Sequence, residues 1–239
     1  MDRPPPNQRQ QRVLDRVSAC PGNYIIGIDE VGVGSCAGPI FVCGVLSDRH
    51  WDHELAQDSK KLTARKRERG YAAFLQRPPG IHAALLASFD ADEVDALSVA
   101  SANRALTQYI AQQLFALATA PVVLDGDQVV RLEGIPLEYT FTMVAADAIV
   151  PASGAASVLA KVSRDAQMDA YDEVFAGYGF KKNKGYLTAA HEEGLKRLGA
   201  SAIHRLSYKP VRKYVLNSKV WQSRQQPIEM RAWTSWLLR

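Results

Sequence analysis

Three short apolar runs, each closing on an acid, constrain this chain more than any other feature: YIIGIDE at 24–30, PVVLDG at 121–126 and YTFTMVAAD at 139–147. Runs of four to eight residues rich in Val, Ile and aromatics and bounded by Gly or Pro read as buried strands. In an α/β sheet, functional groups gather where strands end. PIFVCGVL at 39–46 follows a glycine-rich bend and reads as the hairpin partner of the first run, and IHAALLASF at 81–89 reads as a further strand. LTARKRERGYAAFLQ at 62–76 reads as a helix with Thr63 as N-cap. A capping box of Asp90 and Glu93 opens a long helix to about residue 118, with Val94, Leu97, Leu106, Ile110 and Leu114 on its apolar face. Pro151 suits the first turn of a helix through SGAASVLAKVSRDAQMDAYDEVF, and Thr188 caps a last short helix ending near Gly199. The order predicts an α/β fold: a mixed five-stranded sheet flanked by helices, with a C-terminal helical extension.

Residues 1–22, mixing Pro, Gln and Arg, are expected to form a flexible arm with a short helix near Val13–Val17. Residues 23–214 then form the domain and 215–239 a tail. In that tail Trp233, Trp236 and Leu237 make an apolar helical stripe, suited to packing on the domain or to a protein partner, and Trp221 precedes it. Cys20, Cys36 and Cys43 lack C-x-x-C spacing, so neither a disulfide framework nor a zinc site is expected. The net charge of +4 suits an anionic partner without deciding one. No apolar run approaches the ~20 residues that cross a bilayer, so no membrane contact, a cytoplasmic location and a monomer are expected.

Asp29 and Asp125 end strands, Asp147 is read as ending a third, and Glu30 adjoins the first. Successive strand side chains point to opposite faces, so a shared site for Asp29 and Glu30 predicts that the chain leaves the strand at Glu30. Four carboxylates packed together raise one another's pKa unless cations sit among them. All-oxygen ligands select hard ions, Mg²⁺ or Mn²⁺, and two such ions roughly 4 Å apart can activate water and stabilise a leaving oxygen in phosphodiester cleavage. The cationic segments fit the same substrate: Lys60 and Lys61 before a basic helix, Lys161 and Arg164, Lys184 beside Tyr186, and His204 with Arg205. Any one of these is most often a solvated face or a structural residue, but four around an acidic centre suit a phosphate backbone, with Tyr186 placed to stack.

Taken together, GIDEVGVGSCAGP, DSKKLT, VLDGD, DAIVPASGAASVLAKVSRDAQM, YGFKKNKGYLTAAH and IHRLSYKPV resemble, in order and spacing, the ribonuclease HII (type 2 ribonuclease H) family over most of 25–211. The resemblance implies a ribonuclease H-like sheet whose first and fourth strands lie side by side and parallel. It also implies hydrolysis of RNA in RNA–DNA hybrids or at ribonucleotides embedded in duplex DNA, leaving 5′-phosphate and 3′-hydroxyl ends. Carried over residue by residue, the metal-binding carboxylates are Asp29, Glu30, Asp125 and Asp147, and the tyrosine that packs on the sugar is Tyr186. The family's glycine, basic residue, glycine motif corresponds here to Gly32, Val33 and Gly34: the backbone that reads a 2′-hydroxyl is retained and the phosphate-holding cation is missing. Ala145 and Ala146 replace the usual lysine and glycine before the fourth acid, and Ser35-Cys36 replaces the usual proline and its neighbour. Three rivals stay open: a non-catalytic binding homologue, a nuclease of this fold with altered substrate preference, and an adaptor acting through the tryptophan tail.

Overall fold

The computed structural model describes residues 3–127 and 130–215. The five strands are β1 (Tyr24–Val31), β2 (Ile40–Asp48), β3 (Ile81–Phe89), β4 (Val122–Asp125) and β5 (Thr140–Met143), in the order β3-β2-β1-β4-β5. β3, β2 and β1 are antiparallel neighbours, while β1, β4 and β5 run parallel. This is the mixed sheet expected, with the first and fourth strands adjacent.

Its two faces are covered by different helices. Ile26, Ile28, Ile40, Val42 and Leu85 pack beneath α4 (Val99–Leu117) through Leu106, Ile110 and Leu114. Cys43, Val45 and Ala84 pack on the opposite face with Phe74 of α2 (Ala64–Leu75) and Ala155, Ala156, Val158 and Leu159 of α6 (Pro151–Val174). The run of small residues at the start of α6 lets it lie against β1. A Cβ on Gly27 would stand 2.1 Å from the Ser153 backbone nitrogen, so only glycine permits that approach. The C-terminal part builds a separate cluster in which Met168 of α6 meets Tyr178, Phe180 of α7 (Phe180–Asn183), Leu195 of α8 (Ala189–Leu198) and Val211 of α9 (Lys209–Arg212).

Four local expectations change. Helix α1 spans Gln8–Ala19 rather than the shorter stretch near Val13–Val17, and packs Val17 against Ile25, Val123 and Phe141. The single helix expected over 90–118 is two, α3 (Ala91–Leu97) and α4, broken at Ser98, whose hydroxyl caps α4 by accepting the Ser101 N–H; Leu97 is exposed. β1 continues through Glu30 to Val31 because its ladder with β2 does, up to Val31 opposite Phe41. β5 stops at Met143, and Asp147 sits on the short helix α5 (Ala146–Ile149) rather than at a strand end. Trp221, Trp233, Trp236 and Leu237 lie outside the described residues. Among the described residues no helix is long and apolar enough to cross a membrane.

Candidate active site

The site is where the sheet loses a strand. β1 and β4 pair only as far as Ile28 opposite Leu124, so beyond that point β1 has a neighbour on its β2 side alone. Asp29, Glu30 and Asp125 follow directly. The strand alternation is present: Asp29 faces α6 and the Ser157 hydroxyl, which favours its charged form, and Glu30 lines the cleft on the α4 side with Asp125. They share a site because both emerge past the end of β4, one over each face of the same edge.

The fourth acid arrives by a device the sequence does not advertise. Ala145 takes a left-handed conformation (φ 56°, ψ 42°), turning the chain out of β5 into α5. Asp125 then accepts the Ala146 N–H at 3.0 Å, tying the end of β4 to the helix that carries Asp147. Asp29 and Asp147 are 7% and 5% exposed. Burial first, and then the charge of Glu30, pushes the Asp29 carboxyl up to about 7; burial and then Asp29 do the same to Asp147, also to about 7. Glu30 is raised by burial and by Asp125. Lys60 is a compensating cation: burial alone would lower its pKa, but Asp29, Asp58, Asp147 and Asp125 together raise it.

A donor set made only of carboxylate oxygens that hinder one another's ionisation fits hard divalent cations, and Asp29, Glu30, Asp125 and Asp147 are the residues that would hold them. Among the described residues the carboxylates that close to within 4.8 Å as a set of three are others, Asp90, Asp92 and Glu93. There Glu93 accepts the Asp90 N–H as a capping box at the start of α3.

The expected substrate contacts divide. Tyr186 is 43% exposed, and its ring lies 3.7 Å from where a Cβ of Gly34 would be. Gly32 has φ +91° and no room for a side chain beside Arg164, Gly34 is open to solvent, and Val33 packs its side chain on the α4-side core. Lys60 and Lys61 are exposed, Lys60 within electrostatic reach of the acids and Lys61 3.9 Å from Asp58. Lys161 pairs with Asp165 at 2.7 Å and Lys184 with Asp169.

Arg164, His204 and Arg205, expected to reach substrate, are instead wholly buried. Arg164 donates to the carbonyls of Pro39, Lys184 and Ala37 and to the Ser35 hydroxyl. Arg205 donates to the carbonyls of Gly38, Val33 and Ser35. They fold the 32–39 loop from inside, because a loop without regular ladders leaves carbonyls that need donors. Ser157 and Asp58 are site neighbours that sequence reasoning missed. Asp58 lies in the quoted DSKKLT block, whereas Ser157 carried no signal beyond the small-residue run of α6.

The family described as Ribonuclease HII matches residues 26–211 of the chain. Ribonuclease HII of Limosilactobacillus fermentum is 39% identical over 192 residues, 80% of this chain and 72% of the relative, and that of Mycobacteroides abscessus 38% over 211 residues, 87% and 85%. The fold is similar to RNase HII in its complex with PCNA from Archaeoglobus fulgidus (TM-score 0.63, 23% identity, 78% of this chain and 95% of that one). It is also similar to Bst-RNase HIII in complex with Mn²⁺ (TM-score 0.63, 18% identity, 84% and 71%). Matched to this family over most of its length, the chain belongs to the ribonuclease HII family and is a ribonuclease H, a hydrolase.

Proposed function

We propose that this chain is an endoribonuclease that cuts RNA in RNA–DNA hybrids or at ribonucleotides embedded in duplex DNA, on the 5′ side of a ribonucleotide. It leaves 5′-phosphate and 3′-hydroxyl ends, and the working unit is residues 23–214. The observation that carries this is the meeting of Asp29, Glu30, Asp125 and Asp147 at the open edge beyond β4, in a cleft of about 420 Å³ that Glu30 and Asp125 line. Two Mn²⁺ or Mg²⁺ ions, when bound by these four acids, supply water activation and neutralise charge on the leaving oxygen. The chain's own residues do the placing. Asp125 accepts the Ala146 N–H and Asp29 the Glu30 N–H at 2.9 Å, which orients these two carboxylates, and bound ions would draw the four acids closer together. Lys60 sits beside them for a phosphate, and Tyr186 with Gly34 offers a flat apolar wall for a ribose.

Asp125→Asn keeps the Ala146 N–H partner and removes a charge. It is expected to lower Mn²⁺- or Mg²⁺-dependent cleavage of a hybrid duplex by at least about a hundredfold while duplex binding stays measurable. Near-natural cleavage by this variant overturns the site. Val33 supports a reading of substrate preference as well. With an apolar side chain, packed on the core, between Gly32 and Gly34, the chain is inferred to discriminate a single embedded ribonucleotide from a ribonucleotide tract less sharply than an arginine at this position would allow.

A further inference from the structure

His204 and His191 form a buried pair whose proton positions the surrounding bonds dictate. The Ser201 backbone N–H, which can only donate, reaches His204 Nδ1 at 2.9 Å, so that nitrogen is an acceptor and the ring proton sits on Nε2. His204 Nε2 lies 2.9 Å from His191 Nε2 and therefore donates to it. That leaves the His191 proton on Nδ1, which donates to the Tyr186 carbonyl at 2.9 Å. The chain of bonds runs one way, from Ser201 to Tyr186, with both rings neutral. A second proton on either ring would set N–H against N–H, at the contact between the imidazoles or at Ser201. Burial lowers the pKa of His191, the same direction.

Tyr178 and Phe180 pack against both rings, with Tyr178 4.8 Å from His204 and Phe180 5.2 Å from His191. The Cys36 thiol, 3.8 Å from His191 Nδ1, is pushed up to about 11 by burial. The Arg205 guanidinium turns away to the 32–39 loop carbonyls.

What the relay ends on is the segment that carries the exposed Tyr186 ring. Gly185 accepts the N–H groups of Cys36 and Ala37 at 2.9 and 3.2 Å, which stitches this segment to the 32–39 loop on one side while His191 holds it on the other. We infer that His191 and His204 are positioning residues for Tyr186: their directional hydrogen-bond chain sets the tyrosine ring against Gly34 in the attitude that receives a ribose. This rests on the ribonuclease reading, and it gives two buried histidines a part in substrate binding without either touching substrate.

A double-mutant cycle tests it. His191→Leu removes the donor to Tyr186, whereas the amide of Asn reaches about the position of Nδ1 and can donate in its place. His191→Leu is expected to raise KM for a duplex with one ribonucleotide about fivefold and to leave kcat within about twofold, with His191→Asn recovering most of the loss. In a Tyr186→Ala background His191→Leu is expected to add nothing. An equal rise in KM without Tyr186, a fall in kcat at constant KM, or no difference between Leu and Asn overturns the inference.

Long-range ¹⁵N–¹H NMR of the natural chain supplies a readout independent of activity and of any variant's folding. The protons are expected on His204 Nε2 and His191 Nδ1, and a proton on His191 Nε2 overturns the relay. A natural chain that cleaves nothing in Mg²⁺ or Mn²⁺ removes the nuclease reading while leaving the NMR result to stand or fall separately.

Discussion

Asp147 and Arg164 are about equally withdrawn from water, yet the protein treats them in opposite ways. Arg164 has a partner on Nε and on both terminal nitrogens, all of them oxygens of the 32–39 loop or of Lys184. Asp147, among the described residues, accepts no hydrogen bond and is held back from ionising by burial and by Asp29. Burial of charge is therefore not one signal but two. Where internal partners fill the hydrogen-bonding capacity, the charge is part of the architecture; where open acceptors gather at a cleft, the site is prepared for something to arrive.

That contrast breaks most visibly at the arginine. Arg164→Met leaves several loop carbonyls without donors and is expected to cost about 3–5 kcal/mol of stability in urea unfolding, whereas Lys60→Met, at the open side of the acids, changes stability little and weakens duplex binding. A neutral Arg164→Met would mean that the loop does not depend on its internal cation. The cation missing from the loop itself gives a smaller effect. Val33→Arg is expected to tighten binding of a single-ribonucleotide duplex by up to about tenfold at low salt and to steepen the salt dependence by about one charge, read from binding at several salt concentrations. An unchanged slope would separate Val33 from phosphate recognition. The smallest effect falls at the turn that delivers Asp147. Ala145 holds a left-handed conformation that glycine adopts freely, so Ala145→Gly is expected to add up to about 1 kcal/mol of stability in the same unfolding assay.

Much of this was legible in the order of residues. The runs 24–29 and 121–125 announce strands by β-branched composition and by the Gly or Pro at their bounds, and their terminal acids fall together because β1 and β4 pair in parallel. Glu30 was misplaced because strand length depends on the partner: β2 carries the ladder to Val31, and no local signal at Glu30 ends it. Asp147 was given to a strand because the turn at Ala145 uses a residue that carries no mark of positive φ. Arg164, His204 and Arg205 resembled surface cations because a sequence shows charge but not burial. Only the folded 32–39 loop, short of internal donors, reveals why arginines lie beneath it.

The central claim, that the acids at the β1/β4 edge are held out of their ordinary ionisation until cations join them, is tested by thermal unfolding of the natural chain and of Asp29→Asn across pH, with chelator and with Mn²⁺. Asp29 rises in the fold from an ordinary carboxylate value to about 7, so the folded state binds more protons than the unfolded one between about pH 4 and 7. Its penalty is absent below that window, grows as pH rises through it and is complete above it. Without metal, the natural chain is therefore expected to lose stability relative to Asp29→Asn as pH rises from 4 to 8, by at most about 4 kcal/mol, and Mn²⁺ is expected to stabilise the natural chain far more at pH 8 than at pH 5. A difference between the two chains that stays flat with pH, together with no stabilisation by Mn²⁺ at pH 8, would contradict the assignment of these carboxylates as a metal site.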